Sequence, residues 1–130
     1  MGNFFNSENL GPILIAGIGV ILAAFAGLPE ALGAHPFWAV RVGLYGAPAA
    51  LVLWLVLRAF GLKSATILVL SVIVLIGAIL SLHFGKQAFV ASYARDGLAG
   101  RFWYVGWIVA MGAITTILAA IIARFWPRRK

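Results

Sequence analysis

Residues 65–82 read ATILVLSVIVLIGAILSL, which is a run of eighteen positions without a charged side chain. The hydrocarbon core of a bilayer is about 30 Å thick, so a helix that crosses it needs roughly 20 apolar residues. Further apolar runs of similar length occupy Leu10–Leu28, Phe37–Leu57 and Phe102–Phe125. The sequence therefore predicts an all-α polytopic membrane protein, folded as a bundle of four transmembrane helices.

The composition also indicates a membrane protein. Of the 130 residues, 64% are hydrophobic and 10% are charged, and the mean hydropathy is +1.07. Soluble domains usually carry about 25% charged residues. The four runs leave too few residues for a soluble catalytic head, so we expect one integral membrane domain over residues 1–130 and no enzyme. The chain has no cysteine, which excludes disulfides and thiolate metal sites.

The basic residues predict how the chain is threaded. Four spans put both chain ends and the link 58–64 on one face of the membrane, named side A here. They put the links 29–36 and 83–101 on the other face, named side B. Side A carries six basic residues, Arg58, Lys63, Arg124, Arg128, Arg129 and Lys130, whereas side B carries Lys86, Arg95, Arg101 and, if its side chain reaches back, Arg41.

Lysine and arginine are enriched beside spans on the cytoplasmic face, where they also meet anionic headgroups. The excess on side A predicts that both termini are cytoplasmic, in a bacterial cytoplasmic (inner) membrane. The same bias accounts for the net charge of +7 without nucleic-acid binding, which we do not expect.

Small residues recur at four-residue spacing in the first, third and fourth runs. Such stripes let helix backbones approach closely in lipid, where the hydrophobic effect does not drive helices together. We expect short links to make consecutive helices pack antiparallel. The predicted packing residues are Gly19, Ala23, Gly27, Gly77, Ser81, Gly85, Gly112, Thr116 and Ala120. The spacing leaves open whether these stripes face sister helices or another subunit.

Polar residues of varied chemistry concentrate on side B, while none of the four runs has an ionisable residue at its centre. If the chain has a specific polar binding site, we expect it among Glu30, His35, Arg41, His83 and Asp96. A pair of histidines can ligate haem, and His83 could serve a haem or a quinone, but no metal site and no cofactor is the simpler expectation. No spacing typical of zinc ligands, phosphate loops or a nucleophile with its base is present.

These features predict a small non-catalytic membrane subunit or assembly factor, packed against a larger complex of respiratory or photosynthetic type. Its partners would be the lipid bilayer and other integral membrane subunits or copies of itself. Two alternatives stay open. One is a small homo-oligomeric transporter or channel whose pore forms between copies, and the other is a quinone- or haem-binding membrane anchor.

Overall fold

The computed structural model describes residues 6–36 and 38–126, and within these ranges all regular structure is helical. The helices are α1 (Ser7–Phe25), α2 (Leu28–Ala31), α3 (Ala39–Ala59), α4 (Ser64–Ala91) and α5 (Gly97–Arg124). Four of them, all except the single turn of α2, are long and apolar enough to cross a membrane. The predicted all-α fold with four membrane-spanning helices is therefore confirmed. Phe37 and the basic residues 128–130 lie outside the described ranges.

Local chemistry explains several helix ends. The Asn6 side chain accepts a hydrogen bond of 3.1 Å from the Asn9 N–H, which caps the start of α1. Asp96 caps α5 in the same way, with its Oδ1 3.0 Å from the Ala99 nitrogen. Gly61 follows α3 with φ of 84°, the left-handed conformation that glycine adopts without strain.

Helix α4, which contains the predicted run 65–82, continues well past the end of that run. It ends at Ala91, and α5 begins at Gly97 rather than at residue 102. The chain turns at Tyr93 and Ala94, whose φ values are 57° and 64°. This turn is held because the Ala94 N–H donates to the Phe89 carbonyl at 3.0 Å, a hydrogen bond that closes the end of α4. Both α4 and α5 contain 28 residues, so each is about 42 Å long and exceeds the hydrocarbon core.

Helix α5 is the hub of the bundle. It packs against α1, α3 and α4, and α1 also packs against α3. In the most apolar stretch of each helix, 50% of the residues are buried in α5 but only 17% in α4. Although a short link joins α3 and α4, these two helices do not form a closely packed pair, which departs from the expectation that consecutive helices pack together.

Two glycines set the closest crossings on α5. A Cβ atom on Gly46 of α3 would stand 2.9 Å from the Gly112 nitrogen and 2.9 Å from the Ile108 carbonyl oxygen. A Cβ atom on Gly85 of α4 would stand 2.7 Å from the Trp103 nitrogen. Since these obstacles are backbone atoms that cannot rotate away, only glycine permits the observed contact at either position.

The predicted packing residues fall into three groups. Gly85, Thr116 and Ala120 are buried, and Gly112 faces the Gly46 carbonyl oxygen, 3.4 Å from the position of a Cβ atom. Gly19 and Gly77 are exposed, and a Cβ atom on either would have no neighbour within 4 Å among the described residues. The others are Ala23 and Ser81, both half-buried, and Gly27, which lies outside α1 with φ of 91° at the start of α2.

Candidate functional site

The five polar residues predicted on side B occupy different elements. Glu30 lies in α2, Arg41 in the first turn of α3, and His83 on α4, and all three are exposed. Asp96 is also exposed and caps α5, whereas the His35 ring, in the link before α3, joins an aromatic cluster. Within residues 6–36 and 38–126, no three His, Cys, Asp or Glu side chains are placed to hold a metal ion.

The aromatic cluster on side B is centred on Trp103. The Trp38 ring meets the Trp103 ring edge-on at 5.1 Å between centroids and the Tyr104 ring at 5.0 Å. The centre of the His35 ring lies 5.7 Å from that of Trp103 and 6.1 Å from that of Trp38, and the Phe89 ring of α4 lies 5.8 Å from Trp103. Edge-on aromatic pairs contribute about 1 kcal/mol each beyond their buried area. The cluster therefore fastens the α2–α3 link and α4 onto the start of α5.

Lys86 completes this junction. Its Nζ donates to the Gly33 carbonyl oxygen at 3.2 Å and lies 5.5 Å from the centre of the Trp103 ring. The indole nitrogens of Trp103 and Trp107 are buried and find no acceptor in the described part of the chain. The Lys86 ammonium is bound to a carbonyl oxygen and the aromatic rings pack on one another. This arrangement indicates a structural role in helix packing rather than acid–base chemistry.

A second feature lies near the middle of the bundle, between α3 and α4. It is an apolar groove of about 240 Å³. Small residues form most of its floor on α5, and leucines and valines form its rims. The lining residues are Ala49, Ala50, Leu53 and Leu57 of α3, Leu70, Ser71 and Val74 of α4, and Ile108, Val109, Gly112, Ala113 and Thr116 of α5. We call this feature the α3–α4 groove.

The groove exists because α3 and α4 are attached to α5 at different points. Helix α3 is held at Gly46, which rests on the backbone of α5 at Ile108 and Gly112. Helix α4 is held nearer side B, where Gly85 meets Trp103 and where Gly106 of α5 leaves room for Leu82. Along residues 108–116 of α5, on the side A side of the Gly85 contact, the two helices face each other across α5 without closing.

Hydroxyl groups form a third attachment beside the groove. Ser71 Oγ lies 2.6 Å from Thr116 Oγ1, and both side chains are buried. Because Thr116 gives its single hydroxyl hydrogen to the Ala113 carbonyl at 3.0 Å, Ser71 is the donor in the pair between helices. A hydrogen bond of this kind in a bilayer contributes about 0.6 kcal/mol, and it fixes the depth of α4 relative to α5.

Sequence reasoning selected some of the residues that matter here and missed others. Gly112 and Thr116 were among the predicted packing residues, but Ala49 and Ala113 were not, because neither has a small residue four positions before or after it. Gly106 also lay outside the predicted stripe. The one sequence feature that could have identified Gly106 is its spacing, since it lies seven residues after Ala99 and seven before Ala113. All three residues are buried in the structure.

Comparisons with protein-family models, with curated proteins and with solved structures found no match for this chain. We therefore infer its function from the groove and from the two ends of the bundle.

Proposed function

We propose that this chain is a non-catalytic integral membrane subunit, and that its α3–α4 groove receives a transmembrane helix of a partner protein in a larger membrane complex. The observation that supports the proposal is the groove itself. It is apolar, it is lined by three helices that are long and apolar enough to cross a membrane, and the small residues Gly112 and Ala113 leave the backbone of α5 close to the groove surface.

The physics of helix association in lipid favours a helix as the occupant. Lipid chains are as apolar as leucine, so a partner helix gains mainly from close packing against small residues. The groove side of α4 continues from Leu70 and Val74 to Gly77 and Ser81, at spacings of three and four residues that keep one helix face. This strip extends for about 16 Å. Glycine costs about 1 kcal/mol relative to alanine inside a helix, and nothing in the described fold requires Gly77.

A partner helix that crosses at Gly77 gives that glycine a use. The backbone of the partner helix would approach α4 closely at Gly77, where a larger side chain would hold it away. Helix α5 approaches α4 in the same way at Gly85. The helices that line the groove are already packed against α5. A partner helix can therefore enter the groove without any rearrangement of this chain. Such pre-formed surfaces lower the entropic cost of association.

The orientation follows from charge. We place side A, with its six basic residues, in the cytoplasm of a bacterial cell, so that both termini are inside. The described members of that set lie at the same end of the bundle, since Arg58 is in the last turn of α3, Lys63 precedes α4 and Arg124 ends α5.

Site-specific crosslinking tests the groove. The chain has no cysteine, so a single Ala49→Cys change on the exposed groove rim of α3 gives one reactive position. Ile76→Cys, on the outer face of α4 and 55% exposed, is the matched control. In membranes of the native host, a benzophenone attached to the thiol inserts into C–H bonds of its neighbour on illumination; it should join the Ala49→Cys chain to one protein of different mass and give far less product from Ile76→Cys.

A blocking variant gives an independent readout. Ala49→Phe should fill the groove from its exposed rim and reduce co-purification of the crosslinked partner at least tenfold. Val52→Phe adds similar bulk to α3 at a position that is 62% exposed and outside the groove, so it should leave co-purification unchanged. A crosslinked product of twice the chain's mass would show that the groove is occupied by a second copy of this chain rather than by a different protein. Equal products from both cysteine positions, or equal loss from both phenylalanine variants, would overturn the proposal.

A further inference from the structure

The side A end of the bundle encloses a polar cavity of about 760 Å³, separate from the groove. Its walls come from four helix ends, and they include three cationic side chains and one carboxylate. The principal lining residues are Arg58, Lys63, Arg124, Ser64, Glu8 and Trp126. The volume falls within the range of about 300–1,000 Å³ that is usual for small-molecule sites.

Arg58 is fixed in place at the wall of this cavity. Its Nε donates to Asn9 Oδ1 at 3.1 Å, and its Nη1 donates to the Leu62 carbonyl oxygen at 3.3 Å. The guanidinium also lies 5.8 Å from the ring of Trp54, whose indole N–H donates to the Asn9 carbonyl oxygen at 2.8 Å. A guanidinium has five N–H donors, and these contacts use two of them while restricting its motion. Arg58 is therefore pre-organised to receive an anion.

The other two cations differ from Arg58 because they are exposed. Lys63 and Arg124 form no ion pair or hydrogen bond of their side chains with residues 6–36 or 38–126. Against these three cations the wall offers one carboxylate, Glu8, which already has an interaction of its own. The lining therefore carries a formal charge of +2. Ser64, the first residue of α4, adds a hydroxyl at a helix end that no side chain caps.

Trp126 places the cavity at the membrane surface. Its indole packs on Gly11 of α1 so closely that a Cβ atom there would overlap the ring. Tryptophan is enriched at the level of the headgroups, and here it lines the same cavity as the cations. A charged wall at the level of the headgroups would be level with the phosphate groups of lipids.

We propose that this cavity binds a phosphate group, and that the phosphate belongs to the headgroup of an anionic phospholipid in the side A leaflet. Arg58 would contact the phosphate oxygens through N–H groups held in fixed geometry, as arginine does with phosphate elsewhere. Lys63 and Arg124, which line the same cavity, would balance the remaining charge. The remaining volume accommodates the polar part of the headgroup.

Native mass spectrometry of the purified full chain in detergent tests the site. The probes are phosphatidylglycerol, phosphatidylcholine and inorganic phosphate, each added separately. We expect one phosphatidylglycerol to remain bound per chain, little retention of phosphatidylcholine, and no displacement of phosphatidylglycerol by millimolar inorganic phosphate. Displacement by inorganic phosphate would overturn the lipid assignment and identify a site for the free anion.

The test variant is the double change Lys63→Gln and Arg124→Gln. Both side chains are exposed and make no bond within the described fold, so the variant should fold normally. Its phosphatidylglycerol affinity should fall about 30-fold, since each basic residue near an anionic lipid surface contributes roughly fivefold. Arg95→Gln with Arg101→Gln removes the same charge from exposed positions on side B and should leave affinity unchanged. Equal loss in the two double variants would mean that net charge alone attracts the lipid, and would refute the site.

Discussion

The contact between α4 and α5 at Gly85 gives the sharpest prediction about stability. Gly85→Ala would place a Cβ atom 2.7 Å from the Trp103 nitrogen and 2.9 Å from the Ala99 carbonyl oxygen. Ordinary contacts of this type begin near 3.4 Å, so the helices must separate locally by about 0.7 Å. Because both obstacles are backbone atoms of α5, no side-chain rotation can relieve the clash.

Two opposing effects determine the size of the change. Alanine favours the helix over glycine by about 0.5–1 kcal/mol, whereas overpacking of a tight contact costs about 1–3 kcal/mol. We therefore expect Gly85→Ala to lower the free energy of unfolding by about 1 kcal/mol. Gly77→Ala, on the same helix but with nothing within 4 Å of the added atom, should raise it by up to about 1 kcal/mol. The two variants should thus differ by about 2 kcal/mol, which is roughly 30-fold in the unfolding equilibrium.

Unfolding in mixed micelles measures this difference. Sodium dodecyl sulfate is titrated into the purified protein in a mild detergent, and tryptophan emission reports loss of the packing around Trp103. The midpoint for Gly85→Ala should lie below that of the natural chain, and the midpoint for Gly77→Ala should equal or exceed it. If Gly85→Ala is as stable as Gly77→Ala, the close crossing of α4 and α5 is refuted.

Three further predictions concern other contacts. Ser71→Ala should lower the free energy of unfolding by about 0.6 kcal/mol in the same titration because it removes the bond to Thr116, whereas Ser81→Ala should have no measurable effect. Trp54→Phe should cost about 1 kcal/mol because it removes the hydrogen bond to the Asn9 carbonyl oxygen; a stability equal to that of the natural chain would contradict the bond. A reporter domain fused after the last residue should behave as cytoplasmic and one inserted in the α4–α5 link as external; the reverse pattern would refute the orientation.

Hydropathy alone was sufficient to predict the number of spans, because every run is apolar over about a bilayer's length and the only charged residues in the four runs, Arg41 and Arg124, lie near run ends. It could not place the end of α4. Lys86 and Gln87 interrupt the apolar run, yet the helix continues through them because Phe89 still packs against Trp103 on the next helix. The end is set by the turn at Tyr93 and Ala94, and neither residue type signals a left-handed conformation in advance.

The packing of the helices was less predictable than their positions. Small residues at four-residue spacing occur on exposed and buried faces alike, so Gly77 and Gly85, two members of one stripe, could not be told apart from the sequence. What separates them is the choice of neighbour, and that depends on which helix becomes the hub. The sequence offers no periodic signal for the hub because small residues surround α5 on several faces.

The cations on side A show a similar limit. Counting them gave an orientation, but the count treats Arg58, Lys63 and Arg124 as equivalent. In the structure Arg58 is half-buried and held by Asn9, which comes from the first turn of α1. That pairing joins positions 49 residues apart, and no local pattern in the sequence announces it.

The α3–α4 groove stays open because of the positions at which α3 and α4 are attached to α5. Closing the groove would require α3 to move toward α4, and that movement would lift Gly46 from the backbone of α5. Moving α4 instead would lift Gly85 from Trp103 and break the hydroxyl pair at Ser71. Each alternative exchanges backbone-level contacts for contacts between leucine and valine rims, which in a bilayer gain little over contact with lipid. The groove is therefore a stable consequence of how α5 is packed. A helix that enters it from outside adds contacts while α3 and α4 keep the ones they have.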